Sequence, residues 1–388
     1  MNPSAEFDVI IHGATGFTGR LVAEHFAHHH PDVRWAMSGR GAEKLAAVRD
    51  EIGAPADTPL IVADAADPAS LRAMVQRTKA VLTTVGPYQL YGSDLVAACA
   101  EAGTDYLDLC GEPAWMRQMI DAHERAAKAS GARIVFSCGF DSIPFELGVW
   151  VVQQEALKRW GAPASRVKGR VRAMRGTFSG GTAASLKATM AAAARDPRVL
   201  EHLKNPFALT PDFAGPKQPH GAAVAYDDDL GAWTAPFVMA AINTRNVHRS
   251  NWLMDQPYGA DFVYDEMILT GPGEGGEAAA KAVAAGNAAL GAEGGPKPGE
   301  GPSKAEREAG FYDVLFVGLA EDGRQVRASV KGDKDPGYGS TSKMIAETAL
   351  CLVASPEVAG GIWTPGAALR GKLVERLRDQ AGLKFAVE

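Results

Sequence analysis

Residues 7–24 read FDVIIHGATGFTGRLVAE. Phe7, Val9, Ile10 and Ile11 are apolar or β-branched and predict a buried strand, with Asp8 at its start. Gly13, Gly16 and Gly19 follow at three-residue intervals, and the helical pattern of Leu21, Val22 and Phe26 begins at once. A strand, a glycine-punctuated turn and a helix open a dinucleotide-binding βαβ unit. Gly13 lets the chain turn sharply out of the strand. Gly16 lets backbone approach a pyrophosphate with no Cβ between them. Gly19 lets the helix pack close. With Thr15, Phe17 and Thr18 these glycines form the expected cofactor turn. The pyrophosphate would rest on free N–H groups at the positive end of the helix dipole.

The spacing is G-x-x-G-x-x-G rather than G-x-G-x-x-G, a variant found in many NADP-binding Rossmann proteins. Residues 33–37 predict a second strand, followed by Ser38-Gly39-Arg40. A site for NAD places Asp or Glu about 20 residues past the glycines, to accept from the ribose 2′-OH. Here Ser38 and Arg40 occupy that region, and Lys44 follows one turn into the next helix. A carboxylate would repel a 2′-phosphate, whereas a hydroxyl and a guanidinium bind it through charge-assisted hydrogen bonds. NADP(H) is the expected cofactor. A third strand, 60–63, ends at Asp64, placed either near the adenine or as a cap of the next helix. A fourth, 80–85, ends in Gly86-Pro87-Tyr88, at the carboxyl edge where ligands bind. Short strands at 106–109 and 133–137 bring the count to six, alternating with helices.

Past residue 145 the pattern changes. Strand-like alternation over 167–177 and 261–269, and a hairpin of 311–320 with 325–331 around Glu321-Asp322-Gly323, predict a mainly antiparallel sheet. Residues 205–221 are rich in Pro and Gly and read as an irregular excursion; 277–290 fit an exposed helix and 291–303 a loop. Two closing helices, 344–354 and 369–382, should pack back on the first unit. The expected organisation is α/β: a Rossmann-type parallel sheet (1–145), a mixed α/β domain for substrate or dimerisation (146–337), and C-terminal helices returning to the first domain (338–388).

The chain has 388 residues and a net charge of −6. No basic excess is present to neutralise phosphates, which argues against a nucleic-acid binder. Four scattered cysteines lack metal spacing and suit a reducing compartment. With no apolar run of about 18 residues, the expectation is a cytoplasmic protein without a transmembrane segment, peripheral membrane contact being left open. His28, His29 and His30 are consecutive, so their side chains diverge, and a solvated helix end is expected rather than a metal site.

Several segments coincide with one family. GATGFTGRLVAEHF, the SGR after the second strand, TTVGPYQLYGSDLVAACAEAGTDYLDLCGE, SCGFDSIPFELG, FSGGT, PGEGPSKAEREAGF and GYGSTSKMIAETAL together resemble the saccharopine dehydrogenase-like oxidoreductases, and within them the trans-acting enoyl reductases. The resemblance implies cofactor contacts at Gly13, Gly16 and Gly19, a basic reader at Arg40, and a phosphate-side turn at Gly86 and Pro87. It implies NADPH-dependent reduction of an enoyl, lipid-type substrate, small or bound to an acyl carrier, in a chain compatible with a homodimer. Alternatives are a saccharopine-type amino-acid dehydrogenase and a non-catalytic NADP-binding sensor or scaffold. Tyr91, Tyr88, Ser142 and Thr182 are candidate proton or hydrogen-bond donors. Cys110 is discounted as a nucleophile, since hydride transfer needs none.

Overall fold

The computed structural model describes residues 5–176, 180–288 and 301–388. The first six strands are β1 (Phe7–His12), β2 (Trp35–Gly39), β3 (Leu60–Val62), β4 (Thr78–Thr83), β5 (Asp105–Leu107) and β6 (Arg133–Val135). All pair in parallel, in the order 3-2-1-4-5-6. Both faces are covered, which is why the strands read as apolar runs: Val9, Ile10, Ile11, Ala80, Val81 and Leu82 have no exposed surface. The order reverses between β1 and β4, so a ligand crevice opens there at the carboxyl ends. β2 begins later than the sequence suggests. Val33 donates its N–H to the His30 carbonyl and belongs to the turn leaving helix Phe17–His29.

The second sheet contains β7 (Arg166–Arg175), β8 (Ala225–Asp227), β9 (Ala232–Pro236), β10 (Val263–Gly271), β11 (Phe311–Leu319) and β12 (Gln325–Gly332). Its pairings are antiparallel except β7 with β10. The tail does more than return as helices. β13 (Gly361–Trp363) adds a parallel strand beside β6, and β14 (Lys384–Val387) adds an antiparallel strand beside β12. The expected loop over 291–303 lies outside the described residues up to 300.

Helix Ile143–Trp160 joins the two sheets. Its Gly148 lies so close to β11 that a Cβ there would fall 2.1 Å from the Phe316 ring. One apolar core therefore runs unbroken from Val9 and Ile11 through Ile143 and Phe145 to Val314 and Phe316. A second cluster, including Ile10, Val81, Tyr106 and Phe136, fills the other face of the parallel sheet. Residues 243–251, polar in sequence, lie within helix Ala240–Leu253, and most of their side chains are buried.

Candidate active site

At the glycine turn the geometry matches the sequence chemistry. Gly13 has φ of 90°, and a Cβ on it would meet Val85 Cγ2 at 2.8 Å and Thr84 Oγ1 at 2.9 Å. A Cβ on Gly19 would lie 2.1 Å from the Gly13 carbonyl oxygen. Gly16 is open: its Cβ position meets only that oxygen, at 3.3 Å. Gly16 is the N-cap of helix Phe17–His29; no side chain caps this end and no acidic residue occupies the first turn. The N–H groups of Phe17, Thr18 and Gly19 have no backbone partner among the described residues. Free N–H groups at a positive helix end form an anion site.

This turn has a roof. The Phe17 ring meets Tyr338 edge-on at 4.8 Å, and Arg307 lies 5.5 Å from the same ring. The Asp335 carboxylate accepts from the Tyr338 and Gly339 N–H groups at 3.0 and 2.7 Å, fixing the Pro336–Ser340 turn. Tyr338 is 3% exposed, and its hydroxyl has no partner among the described residues. An open glycine, free N–H groups and a bare buried hydroxyl fit the phosphates and hydroxyls of NADP(H).

At the adenosine end, Thr15 lies beside Gly39, its Oγ1 3.6 Å from that glycine's Cβ position. Arg40 is exposed just past β2, with no partner among the described residues. Ser38 requires a correction. It lies inside β2 with no exposed surface, bonded to His12 Nδ1 and donating to Met74 Sδ, each at 3.1 Å. Its hydroxyl faces the interior, so Arg40 is the group available to a 2′-phosphate. Asp64 accepts from the Ala66 N–H at 3.0 Å, closing a turn, while Asp67 caps the next helix.

Beyond β4, the Gly86 Cβ position is in ordinary contact with the Tyr88 ring at 3.6 Å, and Pro87 is the N-cap of the short helix Tyr88–Tyr91. Tyr88 is buried. Its hydroxyl donates to the Thr83 carbonyl at 3.3 Å and accepts from the Leu109 N–H at 3.1 Å, and burial raises it well above the usual phenol range. It ties β4 to β5 and has no proton to give. Tyr91 is 46% exposed. Cys110 is fully buried and burial raises its thiol far above the ordinary value, so it is no nucleophile. Buried Glu112 accepts from the Tyr88 and Gln89 N–H groups at 3.0 and 2.9 Å, and from Ser185 Oγ at 2.9 Å. It thereby holds helix Gly180–Arg195 against the cofactor sheet. The side chain of Thr182 lies outside the described residues.

The turn after β6 holds the candidate donor Ser142 and, beside it, groups not expected from sequence. Ser142, fully buried, accepts from Asn246 Nδ2 at 2.9 Å. Its neighbour Asp141 has a buried Oδ1 without a partner, and burial raises this carboxyl to about 7. Across from it on β10 stands Glu266, raised to about 8, first by burial and in part by Asp141. Tyr264 donates to Glu266 Oε1 at 2.8 Å and Asn243 Nδ2 to Oε2 at 2.9 Å. A cavity of about 530 Å³ lies on the opposite face of this sheet, where Arg166, Lys168 and Arg170 are all paired with Asp227, Asp229 or Asp265. It is separate from the carboxyl edge.

A 3-2-1-4-5-6 parallel sheet with an open glycine turn and a basic residue past β2 defines an NADP-dependent oxidoreductase. Comparison with known proteins agrees. Residues 9–135 match the saccharopine dehydrogenase NADP binding domain. A trans-acting enoyl reductase of Mycobacterium bovis is 38% identical, covering 97% of this chain and 97% of its own. One from Mycobacterium ulcerans is 37% identical, covering 96% of each. The apo saccharopine dehydrogenase (L-Glu forming) of Saccharomyces cerevisiae shares the fold, with a TM-score of 0.55 at 12% identity over 98% of this chain and all of that one. The chain belongs to the saccharopine dehydrogenase-like oxidoreductases, among the trans-acting enoyl reductases. No helix among the described residues is long and apolar enough to cross a membrane.

Proposed function

We propose that this NADP-dependent oxidoreductase reduces the carbon–carbon double bond of an enoyl thioester of lipid type, presented on an acyl carrier. One observation carries the choice of substrate. The turns at the carboxyl edge, 84–91, 108–112 and 137–142, contain no Lys or Arg. They contribute the buried carboxyl groups of Asp108 and Glu112 and the half-buried one of Asp141, and Glu266 faces the same region. Arg245, on the facing helix, is bonded to the Ala241 and Leu203 carbonyls. An amino-dicarboxylate would bring negative charge to acids with no cation to receive it. An uncharged thioester and acyl chain meet no such penalty. The carrier is supported by the name of the relatives, trans-acting enoyl reductase.

When bound, NADPH supplies the hydride. The remaining work falls to this chain: the glycine turn and Arg40 hold the cofactor, the Tyr338 turn covers it, and polar groups past β6 meet the charge that develops on the thioester oxygen. The test is NADPH oxidation by the purified protein with trans-2-enoyl thioesters, ketones, aldehydes, and 2-aminoadipate semialdehyde plus glutamate. Turnover with the thioesters alone is expected. Turnover with the amino-acid pair would establish the dehydrogenase instead, and tight NADPH binding without turnover of any class would favour a sensor.

A further inference from the structure

We propose that Asp141, in the turn after β6, is the catalytic acid of this site. The proposal rests on the enoyl reading for its substrate, but its geometry stands independently.

The hydrogen-bond accounting points to Asp141. Glu266 has what a carboxylate needs, a donor on each oxygen from Tyr264 and Asn243. Among the described residues no side chain or backbone group donates to Asp141, and its Oδ1 is buried. The amide oxygens of Asn243 and Asn246 are also bare, and both residues have no exposed surface. An amide oxygen sits beside its own nitrogen. The first is therefore next to Glu266, which Asn243 Nδ2 touches, and the second is next to Ser142, which Asn246 Nδ2 touches. The cluster holds three buried acceptors and lacks hydrogens. Each unfilled buried acceptor is costly. A proton on Asp141 turns one of them into a donor, and a substrate or water fills the remainder.

Charge on the surrounding elements favours the same state. From β10 the facing groups are Glu266 and Tyr264; Asp265 lies on the sheet's other face, paired with Arg166 and Arg170. From helix Ala240–Leu253 they are the neutral Asn243 and Asn246. From helix Ile143–Trp160, Glu146 is bonded to Ser250 and to the Gly366 N–H. No Lys or Arg among the described residues is paired with Asp141 or Glu266. Burial raises both carboxyls, Asp141 to about 7 and Glu266 to about 8, the latter in part through Asp141. Asp141 has no donor to hold an anion, so its site suits the protonated acid at neutral pH.

The step balances as follows. The β carbon of the enoyl thioester gains hydride from the reduced nicotinamide, forming one C–H bond, and the π pair moves toward the α carbon and thioester oxygen. The Asp141 O–H bond breaks and its proton forms the α C–H bond. The C=C bond is reduced and NADPH is oxidised to NADP+. Asp141, half-buried, takes its next proton from water.

The experiment compares wild type, Asp141→Asn, Asp141→Glu and Glu266→Gln with NADPH and trans-2-enoyl coenzyme A. Asp141→Asn should lower kcat by about 10²- to 10⁴-fold with unchanged NADPH affinity, and Asp141→Glu should restore part of it. Wild-type kcat should fall as pH rises above neutrality, because the acid form is lost. Glu266→Gln, which keeps the Asp141 carboxyl, should retain that fall; its disappearance would place the acid on Glu266 instead. Full kcat with an unchanged pH profile in Asp141→Asn would overturn the proposal. A second readout needs no substrate: the protonated-carboxyl infrared band at neutral pH should be weaker in Asp141→Asn than in wild type, with Glu266→Gln identifying the part that belongs to Glu266. If Asp141→Asn leaves the band unchanged, Asp141 is not the acid. If wild type shows the band and reduces no enoyl thioester, the substrate reading falls and the acid remains.

Discussion

Gly16 and Gly19 are three residues apart and identical in composition, yet the structure gives them opposite constraints. Gly19→Ala drives a Cβ to 2.1 Å from the Gly13 carbonyl oxygen, a backbone atom that moves only with the turn. A loss of about 1–3 kcal/mol of stability is expected, seen as a lower thermal midpoint together with weaker NADPH binding. Gly16→Ala meets a single contact at 3.3 Å, so the thermal midpoint should hold while NADPH affinity drops, because the methyl group enters the space of the pyrophosphate. At the other end of the cofactor, Arg40→Asp should weaken NADPH by about 1.5–3 kcal/mol, roughly ten- to a hundredfold in Kd, and leave NADH nearly untouched. Equal loss for both cofactors in paired fluorescence titrations would remove Arg40 from the 2′-phosphate. These residues were legible because the glycine turn carries its geometry in its spacing. Ser38 was not: its role depends on whether β2 ends before or after it, and the pleat turns its hydroxyl toward Met74. Asp141 was hidden for another reason. It stands in the noticed CGFDSIP turn, but its buried Oδ1 is left without a donor by the tertiary packing around it, and no local pattern reports that.

Among the elements, periodicity served the strands and failed for helix Ala240–Leu253. Its Asn243, Asn246, His248, Arg249 and Ser250 are all buried, so hydrophobic spacing cannot show its inward face. Helix Phe17–His29 also has a second use. Its His25, with His30 just past its end, bonds Glu347 Oε1 at 2.7 and 2.6 Å, and Arg376 bonds Oε2 at 2.8 Å. The expected solvated histidine end is thus partly a clamp onto helices Thr341–Val353 and Pro365–Gln380. The three ligand atoms would suit a metal by distance, but the Arg376 guanidinium already answers the carboxylate's charge. Hydrogen bonds from both histidines and the charge of Arg376 outweigh burial and bring Glu347 from 4.5 down to about 2. A carboxyl lowered on folding contributes stability that is complete above its unfolded value and is lost as pH falls. Denaturant midpoints should therefore decline between about pH 4.5 and about pH 2. Glu347→Gln should lose roughly 3–5 kcal/mol at neutral pH and flatten that decline; an unchanged acid limb would place the effect elsewhere.

At the scale of the whole molecule, the tail joins the two sheets to each other. β13 extends the parallel sheet beside β6, and the Arg133 side chain there bonds both Asp105 and the Ser355 carbonyl, the latter at 2.6 Å. Helix Pro365–Gln380 then buries Leu369, Leu373 and Leu377 in the core shared by both sheets before β14 reaches β12. Sequence periodicity showed the helix, but a three-residue strand after a glycine pair carries too little pattern to be seen. The two ends of this tail should differ sharply in cost. Stopping the chain at Leu383, which keeps that buried leucine in the core, removes β14, whose side chains are mostly exposed, along with the Glu388 carboxylate that pairs with Arg172. Exposed pairs of this kind contribute about 1 kcal/mol or less, so a single unfolding transition at slightly lower temperature is expected, with NADPH binding retained. Stopping at Ala354 removes β13 and four buried leucines, Leu369, Leu373, Leu377 and Leu383, each worth about 2–5 kcal/mol when truncated to Ala, which together approach the roughly 5–15 kcal/mol that holds a typical native protein together. That chain should lose its cooperative transition and its NADPH affinity together. If calorimetry instead found the cofactor sheet still melting cooperatively and binding NADPH without residues 355–388, the two sheets would be independent folding units and the shared core would be packing without consequence for stability.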